Sequence, residues 1–330
     1  MVAGFSPAMP ADPHHPQRTQ ALLMLLVANF LWGLSFPLIK TILLLHQKLL
    51  PEAGPWFSAI YTVAPRFVLA VAVMLLLKPR VWRGVTRGEL KQGVVIGLFA
   101  AVGMLFQNDG LQFTAASTSA FLTQLYAILI PVYLAIRARR SPGLVVWVSS
   151  ALVLAGVAIL GKFDWRELHL GRGEWETLLC SVFFMGQILW LDKKEFVANR
   201  AYELTFVIFV TEALFFSVLA GATAPDLAAL VTPWTSPAWL GLTGSLTLLC
   251  TLTSFGIMNA WQPKITATEA GLIYCVEPVF GSVMALFLPA IFSAWAGINY
   301  GNEVATWTLL VGGGLITAAN VLIQLKPPAK

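Results

Sequence analysis

Long apolar runs recur along almost the whole chain, and they limit its possible folds more than any other feature. Ten such runs, separated by short turns, occupy residues 21–45, 56–77, 92–113, 116–136, 143–161, 174–191, 203–221, 237–261, 267–289 and 304–324. A helix needs about 20 apolar residues to cross the hydrocarbon of a bilayer, and only helices and closed barrels satisfy their backbone groups there. The sequence therefore predicts an all-α integral membrane protein with ten transmembrane helices.

Composition argues against several other classes of protein. With 58% hydrophobic and 11% charged residues, the chain has more apolar surface than a soluble core buries. The net charge of +5 comes from short basic clusters between apolar runs, so we expect contact with membrane lipid and no binding of nucleic acid. The three cysteines and four histidines lack metal-ligand spacing, and Gly312-Gly313-Gly314 lacks the context of a nucleotide-binding loop. We expect no metal, no cofactor and no ATP site.

Basic residues are distributed unequally between the two sides that ten spans define. The side expected to be cytoplasmic holds fifteen of the 21 Lys and Arg residues, namely Arg18, Lys78, Arg80, Arg83, Arg87, Lys91, Arg137, Arg139, Arg140, Lys193, Lys194, Arg200, Lys264, Lys326 and Lys330. The opposite side holds Lys48, Lys162, Arg166 and Arg172. Because cytoplasmic loops are enriched in Lys and Arg, we expect both termini in the cytoplasm and the protein in the inner (plasma) membrane.

The chain also resembles itself at a spacing of nearly half its length. A shift of 151 residues aligns Asn108 with Asn259, and a shift of 153 aligns Gly33 with Gly186. Two copies of a five-span unit must insert with opposite polarity, which is the inverted-repeat plan of secondary transporters. The expected organisation is a cytoplasmic tail at 1–20, two inverted five-helix repeats at 21–161 and 174–324, a periplasmic linker at 162–173 and a cytoplasmic tail at 325–330. The first tail lacks the apolar core of a signal peptide.

Four motifs, in spans one, two and nine and in the segment leading into span four, carry a resemblance to a known family. They are Asn29-Phe-Leu-Trp32-Gly33, Arg66-Phe67, Gly110-Leu-Gln112-Phe-Thr-Ala-Ala-Ser117 and Ala267-Thr-Glu269-Ala270-Gly-Leu-Ile-Tyr-Cys-Val-Glu277-Pro278-Val279-Phe280. Together they resemble the EamA-type branch of the drug/metabolite transporter superfamily, over nearly the whole chain after the tail. Two departures are visible: Tyr126-Ala127 stands where the family often has a proline, and an extra aromatic segment surrounds Trp295 and Tyr300.

The resemblance implies a ten-helix exporter or exchanger that works by alternating access around a central cavity. We therefore expect a secondary transporter that exports small, amino-acid-like metabolites, with proton coupling as an option and multidrug efflux as the alternative. A membrane-embedded enzyme would show Asp, His or Arg residues clustered at one interface, and a signalling protein would need longer loops. The sequence has neither feature, so we expect no enzymatic activity.

Charged side chains inside the spans are the first candidates for binding, because a charge at the bilayer centre costs at least about 2.5 kcal/mol. Arg66 either meets an acidic partner or an anionic substrate group, or snorkels to the headgroups. Glu277 precedes Pro278, which disrupts the helix, so Glu277 either binds a proton or cation or bonds to nearby backbone. Glu212 either titrates during transport or makes an interhelical hydrogen bond. Glu269 is expected to cap the helix of span nine.

Polar residues at matching positions of the two halves form a second set of candidates. Asn108 and Asp109 in span three correspond to Asn259 in span eight, and they either line the pathway or join helices by hydrogen bonds. Tyr274, in the motif of span nine, is also a candidate for the pathway.

Span four and two tryptophans complete the candidates. Thr123, Gln124 and Tyr126 form a polar stripe that either lines a cavity or permits close helix packing. Trp32 and Trp190 occupy matching regions of spans one and six, where their indoles either stack on a substrate ring or anchor the helices.

Overall fold

The structure, a computed structural model, describes residues 17–110, 113, 122–160 and 171–324. Most of the first predicted tail, residues 162–170 of the predicted linker and the tail at 325–330 lie outside the described residues. Within the described ranges the main helices are α1 (Arg18–Leu49), α2 (Pro55–Leu77), α3 (Arg87–Gly110), α4 (Tyr126–Ala138), α5 (Leu144–Leu160), α6 (Arg172–Leu191), α7 (Ala201–Thr223), α8 (Pro237–Lys264), α9 (Ala267–Ala285), α10 (Leu288–Ala296) and α11 (Trp307–Gln324).

The all-α membrane fold expected from the apolar runs is confirmed. Five helices, α1, α2, α3, α7 and α8, are long and apolar enough to cross a bilayer, and α9 with α10 forms a sixth if this bent pair is one span. Helices α4, α5 and α11 are apolar but shorter within the described residues. Every predicted span overlaps one of these helices, while the count of ten spans stays a prediction.

Helix α10 is a feature that the sequence did not predict, since it lies mostly between the predicted spans 267–289 and 304–324. It begins two residues after α9 and is inclined to it by 62°. Pro289 lies in its first turn, and Gly297, with a φ of 62°, ends it. The ring of Trp295 lies directly against Gly241 of α8, where a Cβ would overlap it. Helix α10 therefore packs against α8 as well as following α9.

The middle of α8 is a π-helix rather than an α-helix. It runs over Leu246–Thr253, and the hydroxyls of Thr251 and Thr253 donate to carbonyls five residues earlier, at 3.1 and 2.8 Å. A π-helix has a wider turn than an α-helix and occurs mostly as a short insertion near functional sites. This segment packs against both α1 and α2.

Helices from the two halves of the chain pack against each other in pairs. Helix α2 lies along α7, α5 lies along α11, α3 packs on α6 and α7, and α1 crosses α8 and α9. The α5–α11 contact is close because Gly156 faces the Gly312 carbonyl, and a Cβ on Gly156 would lie 2.7 Å from that oxygen. Gly156 and Gly312 therefore allow the backbones of α5 and α11 to approach closely.

One end of the molecule carries a group of basic residues, here called the basic face and defined by Arg18, Lys78, Lys91, Lys193 and Arg200. Ion pairs between helices join this face: Arg18–Glu269 and Lys78–Glu203, both at 2.6 Å, and Arg200–Glu89 at 2.8 Å. Glu269 also forms a capping box with Thr266, as predicted for the start of α9.

Candidate functional site

A turn interrupts α9 at the position where the sequence predicted a break. The first part of α9 ends at Tyr274, residues 275 and 276 form a turn, and the helix resumes at Glu277 with Pro278 in its first turn. Proline has no amide hydrogen to donate, so it is well tolerated at this position and poorly tolerated in a helix interior. Glu277 is thereby held, partly buried, at the start of a helical segment in the middle of a predicted span.

A second turn interrupts span four, 151 residues earlier, although no proline occupies the first helical turn after it. Residues 124 and 125 form the turn, and α4 begins at Tyr126. The Ala127 amide donates to the Gln124 carbonyl at 3.0 Å. The absence of a proline at Ala127 therefore does not remove the break, and both halves of the chain are interrupted at corresponding positions.

The two turns touch each other. The thiol of Cys275 lies 3.1 Å from Gln124 Oε1, and these residues are themselves 151 positions apart. Tyr126 is buried beside them, near enough to interact with the charge of Glu277. The structure thus brings three predicted residues, Gln124, Tyr126 and Glu277, to one junction between α4 and α9.

Aromatic rings line the space next to this junction. Trp32 of α1 makes edge-to-face contacts with Phe255 of α8 at 5.3 Å and with Tyr274 of α9 at 5.5 Å. Phe255 also contacts Phe209 of α7 at 6.1 Å. The indole nitrogen of Trp32 is buried and has no hydrogen-bond partner among the described residues, so a donor is available in an otherwise apolar wall.

Arg66 and Glu212 lie behind these rings, on α2 and α7. The Arg66 guanidinium stacks over Phe67, with 4.8 Å to the ring centroid, and Phe67 contacts Phe209 at 5.6 Å. Glu212 follows Phe209 by one turn and is fully buried. The two charged groups interact electrostatically without forming a direct ion pair.

We call Trp32, Arg66, Gln124, Tyr126, Glu212, Tyr274 and Glu277 the central site. Six helical segments, from both halves of the chain, contribute to it or to its aromatic wall. Apart from Trp32 and Glu277, its members have at most 7% of their surface exposed, so side chains close the site in this conformation. Carboxylates, a guanidinium and aromatic rings in one apolar enclosure can bind a small polar molecule and exchange protons with it.

Two apolar grooves lie outside the central site. One, of about 530 Å³, is lined by α2, α7 and the π-helical segment, including Met74, Tyr202 and Leu252. The other, of about 260 Å³, lies between α1 and α9 around Phe30 and Phe280. Neither groove is lined by a residue of the central site.

Several predicted candidates lie elsewhere and make contacts that join helices. Asp109 is buried at the end of α3 and forms an ion pair with Arg172 at the start of α6, and Asn108 beside it is partly exposed. Asn259 of α8 donates to Thr205 of α7 at 2.9 Å. These contacts match the helix-joining alternative rather than a shared cavity.

Thr123 and Trp190 also lie apart from the central aromatic wall. Thr123 directly precedes the turn in span four, and it accepts a hydrogen bond from Gln107 of α3 at 3.5 Å. Trp190 lies at the basic face, where Lys193 Nζ is 3.2 Å from its ring centroid and Phe196 packs beside it. Its position fits the anchoring alternative.

Comparisons with known proteins agree with this architecture. Residues 19–162 match the EamA-like transporter family. An uncharacterized transporter of Archaeoglobus fulgidus is 25% identical over 324 residues, which covers 94% of this chain and 87% of that protein. The chain is thus similar to membrane transporters, and its first half is similar to the EamA-like family. A crystal structure of another protein, 15% identical, has a TM-score of 0.66 over 93% of this chain and 96% of that one, which shows a shared fold.

The junction also contains a residue that is not among the predicted candidates. Cys275 contacts Gln124 across it. The internal repeat could have identified Cys275, because a shift of 151 positions relates Gln124 to Cys275 and Tyr126 to Glu277. Phe67 and Phe255 had no such signal, since an aromatic residue in an apolar run looks like any other core position.

One titratable group at the basic face stands out. Asp192 follows the last residue of α6, and burial raises its pKa from 3.8 to about 7, although the Ala267 amide and Lys194 partly offset this effect and Glu269 adds to it. The start of α9 therefore faces a carboxyl group that titrates near neutral pH.

Proposed function

We propose that the transporter exports small, amino-acid-like metabolites across the inner membrane, with its two five-helix halves rocking around the central site. The observation that carries this proposal is the junction of the two helix breaks. Interrupted helices near the midplane, meeting where two repeats face each other, are the usual setting of a binding site in secondary transporters. Here the two interruptions meet beside Glu277 and close to the unpartnered indole nitrogen of Trp32.

Inverted symmetry between 21–161 and 174–324 is supported by which helices touch. A two-fold axis that exchanges the halves turns the contact of α1 with α8 into that of α6 with α3, and both contacts are present. Helices that such an axis exchanges, α2 with α7 and α5 with α11, lie against each other. The Gln124–Cys275 contact would lie on the axis itself.

The basic face is proposed to be cytoplasmic, together with both termini. It gathers residues from five separate stretches of the chain, as the charge bias requires: Arg18, Lys78, Lys91, Lys193 and Arg200. Membrane-impermeant thiol labelling tests this. Because Cys180, Cys250 and Cys275 are buried, Ser141→Cys and Gly171→Cys can be labelled over a low background. They should react from opposite compartments, and reaction from the same one would contradict the inverted arrangement.

The substrate class follows from the groups in the central site. Aromatic rings next to charged groups suit a molecule with a small apolar body and polar ends, as amino acids have. Multidrug efflux is the second candidate, because Trp32, Phe255 and Tyr274 would also hold an amphipathic drug. Uptake into proteoliposomes of amino acids and cationic dyes, measured side by side, discriminates between the two.

Proton coupling is proposed through Glu277 or Glu212. Both carboxyl groups lie within predicted spans, where proton binding changes the charge that must move with the helices. Substrate flux driven by a pH gradient should be lost in Glu277→Gln or in Glu212→Gln. If flux in each variant still responds to the gradient as in the wild type, neither carboxyl group couples protons to transport.

A further inference from the structure

We propose that Arg66 and Glu212 form a charge-balanced receptor whose net charge is zero both when it is empty and when it is loaded. A substrate carboxylate binds Arg66, and Glu212 is matched either by the ammonium group of the same substrate or by a proton. This inference rests on the proposed transport function and adds the charge class of the substrate and the number of protons that accompany it.

The first observation is that Arg66 is buried without a carboxylate in contact. Only 7% of the residue is exposed. Its Nη2 donates to the Met104 sulfur at 3.8 Å, its guanidinium lies over Phe67, and its Nε has no partner. Among the described residues, none makes an ion pair with Arg66. A guanidinium has five donors in a fixed fork that suits a carboxylate, and most of them remain free here.

The second observation is that Glu212 is completely buried and that neither carboxyl oxygen has a hydrogen-bond donor in the described structure. Buried carboxylates in proteins are normally paired and hydrogen-bonded, because an isolated one is strongly unfavourable. Glu212 interacts with Arg66 through charge but does not touch it. The pair therefore leaves unpartnered groups on both sides of the space between α2 and α7.

Few other charged or titratable groups face this pair. From α8, the thiol of Cys250 interacts with the charges of Arg66 and of Glu277 on α9. From α3, which also packs on α7, the described charged residues lie near the helix ends: Arg87, Glu89, Lys91 and Asp109. At the start of α7, Glu203 is paired with Lys78 and Arg200. Arg66 and Glu212 are thus the charges that must balance each other locally.

Charge balance then determines what can bind. In the empty site, Arg66 carries +1 and Glu212 carries −1. A substrate carboxylate at Arg66 adds −1, which is cancelled when Glu212 accepts one proton to become a neutral carboxylic acid. A zwitterion brings its own ammonium group and needs no proton, whereas a monocation leaves a net charge of +1. An uncompensated charge in a buried site is costly, so monocations are rejected.

Three probes with one phenyl ring and different charges test this rule: phenylacetate, phenylalanine and phenethylamine. Binding to the full-length protein in detergent is measured by titration calorimetry in two buffers of different ionisation enthalpy, which counts the protons taken up. We expect about one proton per phenylacetate and none per phenylalanine, and we expect no binding of phenethylamine. Wild-type protein that binds phenethylamine as well as phenylalanine, or that binds none of the three, would overturn the inference.

Variants test which residue takes up the proton and which residue binds the substrate carboxylate. Glu212→Gln should bind phenylacetate without proton uptake, and Arg66→Gln should bind it at least about 30-fold more weakly. The double variant Arg66→Gln/Glu212→Gln restores charge balance and controls for folding. Glu195→Gln, a half-exposed carboxylate at the basic face, is the matched control and should behave as the wild type. Unchanged proton uptake in Glu212→Gln would contradict the assignment.

Transport separates this inference from the proposed function. If proteoliposomes carry a cationic dye but no carboxylate, the charge rule fails while the transport function stands. If they carry none of the compounds, the proposed function fails, and the calorimetry still decides whether Arg66 and Glu212 bind as a balanced pair.

Discussion

The turns in span four and in α9 have the same backbone hydrogen bonding, but different side chains follow them. In α9 the Val279 amide donates to the Val276 carbonyl at 3.0 Å, and the corresponding bond in span four, 151 residues earlier, is 2.9 Å long. Tyr126-Ala127 follows one turn and Glu277-Pro278 follows the other. The comparison teaches that packing at the junction produces the break without a proline, whereas the carboxylate is present on one side only.

Proline substitution gives the largest expected difference between the two turns and an ordinary helix. Ala127→Pro removes one hydrogen bond beside an existing turn and should reduce stability by about 1 kcal/mol. Ala151→Pro, the same substitution inside α5, should cost about 3 kcal/mol or more, because the ring also clashes with the preceding turn. Thermal unfolding of the two purified variants measures the difference. Equal losses would mean that span four is not interrupted in solution.

Moving the carboxylate across the junction tests the chemical difference. Glu277→Gln should reduce flux driven by a pH gradient at least about tenfold, or about 1.4 kcal/mol. Tyr126→Glu combined with Glu277→Tyr moves the carboxyl group to the corresponding turn and should recover part of that flux. Proteoliposome transport with and without the gradient measures both. If the exchanged variant is as inactive as Glu277→Gln, the two turns are not equivalent.

The pH dependence of stability tests the position of Asp192 beside the start of α9. Because its pKa of about 7 in the folded protein lies above its ordinary value of 3.8, the folded state holds this proton more tightly than the unfolded state. Wild-type stability should therefore fall as pH rises from about 4 to about 7. Asp192→Asn removes the buried charge and should be more stable by about 1 kcal/mol at pH 8, after allowance for partial exposure.

The control for this comparison is a pH at which Asp192 is protonated, so that the side chain at position 192 is neutral in both proteins. At about pH 3, below the pKa of Asp192 in both the folded and the unfolded state, the melting temperatures of wild type and Asp192→Asn should coincide. A constant difference from about pH 3 to pH 8 would show that the substitution acts through packing.

Replacing the proline itself should have the smallest effect. Pro278→Ala supplies an amide in the first turn of the second half of α9, where an amide has no intrahelical acceptor in any case. The change in stability should stay below about 1 kcal/mol, because the turn in span four persists with alanine. A large change in thermal unfolding would mean that the break in α9 depends on the proline.

Much of the fold was accessible from the sequence because apolar run length is a local property. Each predicted span overlaps a described helix, and Pro278 and Glu269 marked a break and a cap correctly. Helix α10 was missed because its aromatic, apolar residues follow a span without a charged boundary. The break in span four was missed because Ala127 permits a continuous helix, and only the contact with Cys275 distinguishes the position.

The site was less accessible, since its contacts join residues far apart in the chain. Arg66 and Glu212 were each recognised as charges within apolar runs, but their proximity depends on how α2 packs on α7. Asp109 and Trp190 carry the same kinds of polar groups as the central site. Their ion pair and stacking contacts lie at opposite ends of the fold, which spacing along the sequence does not reveal.

If the two halves rock as proposed, the position of Trp295 has a mechanical consequence. Its ring occupies the room that any side chain at Gly241 would need, and it belongs to the helix that continues from α9. Movement of α9 at that end should therefore move α8 as well. The described residues of the first half contain no equivalent contact. We therefore expect the two sides of the transporter to open with unequal stiffness.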